Sequence, residues 1–148
     1  MNAMFVDTNA WIALNSKRDN LHEEAMIANR RLLEHGYRYL TTNFVLDETY
    51  TGLRMKIGHF AAVDFGEKLR QSRMVTIIHI SPDIETEAWQ LFKQYADKEF
   101  SFTDCTSFAV MRQWGLDEAF TNDHHFSQMG FRICLSGKKR GNKFGLWN

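Results

Sequence analysis

The sequence predicts an α/β fold in three layers, a central, mostly parallel five-stranded sheet flanked by helices. Three observations carry this reading. Five short runs, Met4–Val6, Tyr39–Thr41, Met74–Ile80, Ala119–Thr121 and Phe131–Leu135, have strand length and strand composition. The segments between most of them repeat apolar residues at helical spacing, and strands that alternate with helices imply a parallel sheet covered on both faces. At 148 residues, 44% hydrophobic and 24% charged, the chain suits one compact domain, for which roughly 100–200 residues is usual.

Taken in order, Met4–Val6 is a buried strand that delivers Asp7 at its carboxyl end, and a short helix through Trp11 to Leu14 follows. Leu21, Ala25, Ala28, Leu32 and Leu33 recur with helical period up to His35, and Gly36 is placed to end that helix. After Tyr39–Thr41, Asn43 is expected to cap a helix running to Gly58, with a further helix over His59 to Arg70. Met74–Ile80 is largely β-branched and apolar, the pattern of a strand buried on both faces. Ser81 and Pro82, the only proline, fit the start of a helix reaching about Ala96, because proline in the first turn forfeits no hydrogen bond. A helix starting near Asp104 carries Phe108, Ala109 and Met111 on its core face and ends at Gly115. The last two strands flank a turn or short helix around His125–Met129.

The organisation expected is one domain over 1–136 and a basic, flexible tail over 137–148, where Lys138, Lys139, Arg140 and Lys143 fall among glycines without apolar periodicity. A solvated extension is the ordinary explanation of such a tail. The 18 basic and 18 acidic residues cancel, so no global positive field marks a nucleic-acid binder. Cys105 and Cys134 are too few for a disulfide framework or a zinc site, and Cys105 has no neighbouring base to make it a nucleophile. The first residues lack the basic run and apolar stretch of a signal peptide or anchor, so a cytoplasmic protein with no membrane partner is expected.

Ligands of doubly wound sheets sit at the carboxyl ends of the strands. Four carboxylates are delivered towards that edge: Asp7 in FVDTN, Glu48 early on the helix after the second strand, Asp104 in SFTDC and Asp123 in FTNDHHF. Each has an ordinary alternative. Asp7 and Asp123 suit loops. Ser101 three residues before Asp104 approximates a capping box. Glu48 aligns with Val45, Gly52 and Met55, a face expected to be mostly buried, whereas its neighbour Asp47 shares the exposed side with Thr51 and Arg54.

What the alternatives leave unexplained is the joint placement, since like charges gathered on one edge repel without a cation. Mg²⁺ or Mn²⁺ resolves the conflict, because these ions take carboxylate and water ligands and can drive in-line displacement at a phosphodiester. Rival readings lose a required residue. A haloacid-dehalogenase-like phosphatase needs an acid where Asn9 stands, a response receiver needs one at the end of MVTIIHIS, and no Walker loop is present. His124 and His125 lack the further histidine and aspartate clusters of the Asp-His-His phosphoesterases and are read as loop residues.

Asp7–Thr8–Asn9, Glu48 in TNFVLDE, Asp104 in FSFTDCTSFAVM and Thr121 to Phe126 in TNDHHF together resemble the ordered acidic motifs of PIN domains, especially VapC-type toxins, over about Met4 to Ile133. The resemblance implies a metal-dependent endoribonuclease with Asp7, Glu48, Asp104 and Asp123 as the acidic quartet around Mg²⁺ or Mn²⁺, leaving a 5′-phosphate and a 3′-hydroxyl. It implies Thr8, Asn9 and Thr103 as residues positioning a ligand or phosphate, an RNA substrate, a homodimer contacting through segments that carry Trp11, Phe60 and Phe65, and a cognate antitoxin protein. An RNA-processing nuclease outside a toxin system, or a non-catalytic module that binds RNA or antitoxin, is the alternative.

Overall fold

The computed structural model describes residues 2–137, so the basic stretch from Lys138 onward lies outside the described residues. Five strands, β1 (Ala3–Val6), β2 (Arg38–Thr42), β3 (Val75–Ile78), β4 (Glu118–Phe120) and β5 (Arg132–Ile133), form one sheet in the order β3-β2-β1-β4-β5. Every pairing is parallel. Among the described residues seven helices connect and cover the strands: α1 (Thr8–Asn15), α2 (His22–Glu34), α3 (Asn43–Ile57), α4 (His59–Gln71), α5 (Pro82–Gln94), α6 (Phe102–Gln113) and α7 (His124–Gln128).

The chain winds outward from β1 to β2 and β3, then crosses back to lay β4 against the other side of β1. That reversal makes a switch point between β1 and β4, where the loops leaving the two strands part and open a crevice. Asp7 follows β1 and Thr121–Asp123 follow β4, so the topology alone brings these acids to one place.

The core follows from the periodicities. Met4, Phe5 and Val6 are fully buried because β1 is the middle strand. On α2 the inward residues are Ala25, Ala28 and Leu32, and on α5 they are Ile84, Ala88 and Leu91, both at helical spacing. Helix α6 buries every residue from Cys105 to Met111, as a helix held between the sheet and a second helix must. Ser81 caps α5 by accepting from the Ile84 N–H at 3.2 Å, with Pro82 in its first turn.

Two local expectations are corrected. Thr42, not Asn43, caps α3, accepting from the Val45 N–H at 3.1 Å, while Asn43 Oδ1 accepts from Ile80 N at 2.8 Å and ties the end of β3 to the helix. The stretch around β3 is not buried on both faces: it is an edge strand in which only Ile78 is buried, so its apolar run reflects half-covered packing at the sheet margin. Trp11 and Phe65 meet each other edge-on in the core with ring centroids 5.6 Å apart.

Gly58 links α3 to α4 at φ +103° and ψ +169°, a region essentially reserved for glycine. An added Cβ would meet nothing within 4 Å, so Gly58→Ala is a test of backbone strain alone. The expected outcome is a loss of about 1–3 kcal/mol in urea unfolding with RNA binding unchanged. An unchanged midpoint would show that the turn relaxes freely.

Candidate metal centre

The register of β1 and β4 pairs Val6 with Phe120, which sets Asp7 beside Thr121 at the mouth of the crevice. Asp7 N–H donates to the Phe120 carbonyl at 3.1 Å, fixing the backbone there. The residue stands at the N-cap position of α1 yet makes no side-chain capping bond, and it is only 6% exposed. A buried carboxylate that does not cap its helix is not explained by turn chemistry.

Its orientation comes from a buried hydroxyl. Thr121 Oγ1 lies 3.1 Å from Asp7 Oδ2 and 3.2 Å from Asn9 Oδ1, two acceptors for its single proton, and it accepts from Asn9 Nδ2 at 2.9 Å and from the Asp123 N–H at 3.0 Å. Asn9 Oδ1 also accepts from the Asn122 N–H at 3.3 Å. Asn9 therefore bears on Asp7 through Thr121, and one hydroxyl ties the loop after β1 to the loop after β4. Sequence reading quoted Thr121 within a motif but gave it no task; its signal was a small hydroxyl residue directly after a buried strand.

The other acids converge from the helices. Glu48 is exposed and Met55 is 80% exposed, so the face expected to be mostly buried is buried only at Val45 and partly at Gly52; the inward residues are Val45, Leu46, Thr49 and Leu53. Glu48 is held by Thr8, whose hydroxyl donates to Oε1 at 2.9 Å, and the nearby Thr103 hydroxyl favours the charged form of the same carboxylate. Asp47 is exposed, as expected. Asp104 does take part in a capping box, Oδ2 accepting from the Ser101 N–H at 3.1 Å while Ser101 Oγ accepts from the Asp104 N–H at 3.0 Å. Asp123 caps α7 by accepting from the His125 N–H at 2.9 Å.

Both capping acids thus have a structural task and face the same centre. His125 joins them: its Nδ1 is 3.3 Å from Asp123 Oδ1 and 3.4 Å from Asp104 Oδ2, and it lies on α7, which corrects its reading as a loop histidine. One ligand atom each from Asp104, Asp123 and His125 falls within 4.8 Å of the others. His124 is exposed.

The carboxyls show the strain of assembly. Burial, with repulsion from Asp104 and Asp123 adding, pushes Asp7 from its ordinary 3.8 up to about 7. Asp104 is raised by burial and then by the Asp123 charge, and Glu48 by burial and then by Asp104. Cys105 and Cys134 are free and buried, and burial pushes their thiols up to about 11 and about 12, so neither is an activated nucleophile.

These side chains fit a divalent cation on two counts. Several acids of like charge share one crevice, and the buried His125 Nδ1 beside them makes no hydrogen bond to protein. Carboxylate oxygens beside one imidazole suit Mg²⁺ or Mn²⁺.

Residues 4–132 match the sequence profile of the PIN domain. The chain is 39% identical over 128 residues to the 23S rRNA-specific endonuclease VapC20 of Mycobacterium tuberculosis, spanning 86% of this chain and 95% of that protein. It is 30% identical over 127 residues to a VapC ribonuclease of Archaeoglobus fulgidus, spanning 84% and 80% respectively. The crystal structure of the M. tuberculosis VapC20, described as a sarcin-ricin loop cleaving toxin, superposes with a TM-score of 0.77 over the same 86% and 95%. The VapBC2 structure from Rickettsia felis shares the fold at a TM-score of 0.66, covering 88% of this chain and 96% of that one at 13% identity.

Proposed function

The chain belongs to the PIN-domain family, and on that basis we propose that it is a VapC-type toxin ribonuclease whose carboxylates Asp7, Glu48, Asp104 and Asp123 hold Mg²⁺ or Mn²⁺ and hydrolyse RNA phosphodiesters. The observation that carries the metal-dependent reading is Asp7: a carboxylate buried against two other acids, with no side-chain capping bond to its helix, is costly to keep charged without a cation to join it. When bound, the cation supplies an activated water and neutralises charge developing on the scissile phosphate. The chain supplies the arrangement. Thr121 orients Asp7, the capping box orients Asp104, the turn of α7 orients Asp123, and Thr8 holds Glu48 at the open side, where it can take a proton from the attacking water.

Asn9, expected to orient the Asp7 carboxylate, bears on it through Thr121, and Thr8, expected to position a ligand or phosphate, holds Glu48. Phosphate contact falls more naturally to exposed cations such as Arg54 and Lys56 on α3.

The substrate we propose is ribosomal RNA, specifically an exposed loop of the large-subunit RNA, after the named activity of the M. tuberculosis relative. A cognate antitoxin and a second copy of the chain are the proposed partners, and the turn between α3 and α4 offers an apolar surface for a protein, with Met55 80% and Phe60 86% exposed. Among the described residues no helix is long and apolar enough to cross a membrane. We place the nuclease domain at 1–136, with the cytoplasm as its site of action and the basic residues beyond it as a tail. The Glu24 carboxylate, accepting from Ser136 N at 2.7 Å and Gly137 N at 3.1 Å, secures the end of that domain to α2.

Incubation with large-subunit RNA, followed by mapping of new ends, tests the substrate. A single metal-dependent cut in one loop is expected, and uniform degradation would count against a toxin's selectivity. In the same assay Glu48→Gln should slow cleavage by about 10–100-fold, the range for losing a group that supports a metal-bound reaction, while Asp47→Asn stays within about twofold. Equal losses would mean that the wrong one of these adjacent acids has been given the role.

A further inference from the structure

We propose that His125 is a direct nitrogen ligand of the divalent cation, joining Asp104 and Asp123 in a mixed site that favours Mn²⁺ over Mg²⁺. The inference rests on the metal-dependent reading above and adds to its four carboxylates a nitrogen donor.

Three features point to it. The Nδ1 atom is buried and has no hydrogen-bond partner, although two carboxylate oxygens lie 3.3 and 3.4 Å away. Those spacings exceed the ordinary N–H···O range of roughly 2.7–3.2 Å. They approach the separation of neighbouring ligands on one ion, since donors ~2.1 Å from a metal at right angles stand about 3 Å apart. A nitrogen lone pair facing carboxylate lone pairs is repulsive unless a cation lies between them, and an N–H there would be expected to close one of the hydrogen bonds.

The ring is also held in place. Asp123 Oδ1 accepts the His125 backbone N–H at 2.9 Å, which starts α7 and fixes the root of the side chain. Phe100 meets the imidazole edge-on, with centroids 5.4 Å apart and planes at 77°. Asp104 Oδ2, 3.4 Å from Nδ1, is itself steadied by the Ser101 N–H. All three donors are therefore oriented by local hydrogen bonds or packing before any ion arrives.

The donor set determines the preference. Mg²⁺ is satisfied by carboxylates and water, whereas imidazole suits softer first-row ions, and affinity for nitrogen rises from Mn²⁺ onward in that series. One nitrogen among oxygens favours Mn²⁺ without demanding the tetrahedral closure of a zinc site. For this role Nε2 carries the ring proton and Nδ1 is the ligand.

The test is spin-echo EPR of Mn²⁺ bound to the full-length protein, read for electron–nuclear coupling to a directly bound nitrogen. The expected result is a ¹⁴N coupling that becomes a ¹⁵N coupling on isotopic labelling of histidine, persists in His124→Gln and disappears in His125→Gln. Competition titrations should show Mn²⁺ binding weakened about 10-fold or more by His125→Gln, and Mg²⁺ binding weakened by less than about threefold. Bound Mn²⁺ without nitrogen coupling would overturn the role of His125 and leave the acidic site standing. Failure of Mn²⁺ to bind the wild-type protein at all would overturn the metal-dependent reading together with this one. The wild-type spectrum decides the matter even if His125→Gln folds poorly.

Discussion

Asp7→Asn is expected to reduce RNA cleavage by more than about 100-fold, the upper end for losing even a group that merely supports a metal ligand, while making the metal-free protein more stable near neutral pH. The two effects have one cause. In the folded, metal-free chain the Asp7 carboxyl is pushed from 3.8 to about 7, first by burial and then by the charges of Asp104 and Asp123. Between those two values the folded chain holds a proton that the unfolded chain has released, so stability falls as pH rises through that window. The loss is complete above about pH 7 and amounts to something on the order of 4 kcal/mol. Asparagine carries no charge, keeps nearly the same shape and still accepts from Thr121. Urea unfolding in EDTA from pH 4 to 8 should therefore show a marked decline for the wild type and a flatter profile for Asp7→Asn. A mutant that unfolds at every pH would assign Asp7 to the fold instead of the chemistry.

The second strong effect separates the two tasks of Asp104. Asp104→Asn retains an oxygen able to accept from the Ser101 N–H, so the capping box survives and stability changes little, but a charged ligand is lost and cleavage should again fall by more than about 100-fold. Ser101→Ala does the reverse. It removes the acceptor for the Asp104 N–H and costs about 1 kcal/mol of stability, while cleavage at saturating metal falls by no more than about threefold. Paired measurements of thermal unfolding and single-turnover cleavage check both. If Asp104→Asn lost stability and activity in proportion, the capping role would account for the residue without any metal.

The contrast between these residues shows what the amino-acid sequence can and cannot carry. Strands and helices were legible because burial imposes periods of two and 3.6 on the apolar residues, and Asp7, Asp104 and Asp123 were legible because the chain order places them just beyond strand ends or at helix starts. The edge position of β3 was not legible: apolar composition reports burial against something, and only the sheet order shows that one side of the strand has no neighbour. Glu48 was singled out for a reason that held only in part, since its side of α3 is buried at Val45 but exposed at Glu48 and Met55, and its carboxylate is held by a hydrogen bond from Thr8. His125 was set aside because its partners, Asp104 and Phe100, are distant in the chain and reach it only through the packing of α6 beside α7. Thr121 needed the register of β1 on β4 before its hydroxyl could be seen between Asp7 and Asn9.

The most direct test is single-turnover cleavage of large-subunit ribosomal RNA by the purified protein with Mn²⁺, Mg²⁺ or EDTA, with Asp7→Asn prepared identically. The reading of Asp7, Glu48, Asp104 and Asp123 as a metal-dependent nuclease centre predicts cutting with either ion, none in EDTA, and loss of cutting in Asp7→Asn although that protein remains folded. Cleavage that persists in EDTA, or that survives unchanged in folded Asp7→Asn, would contradict it.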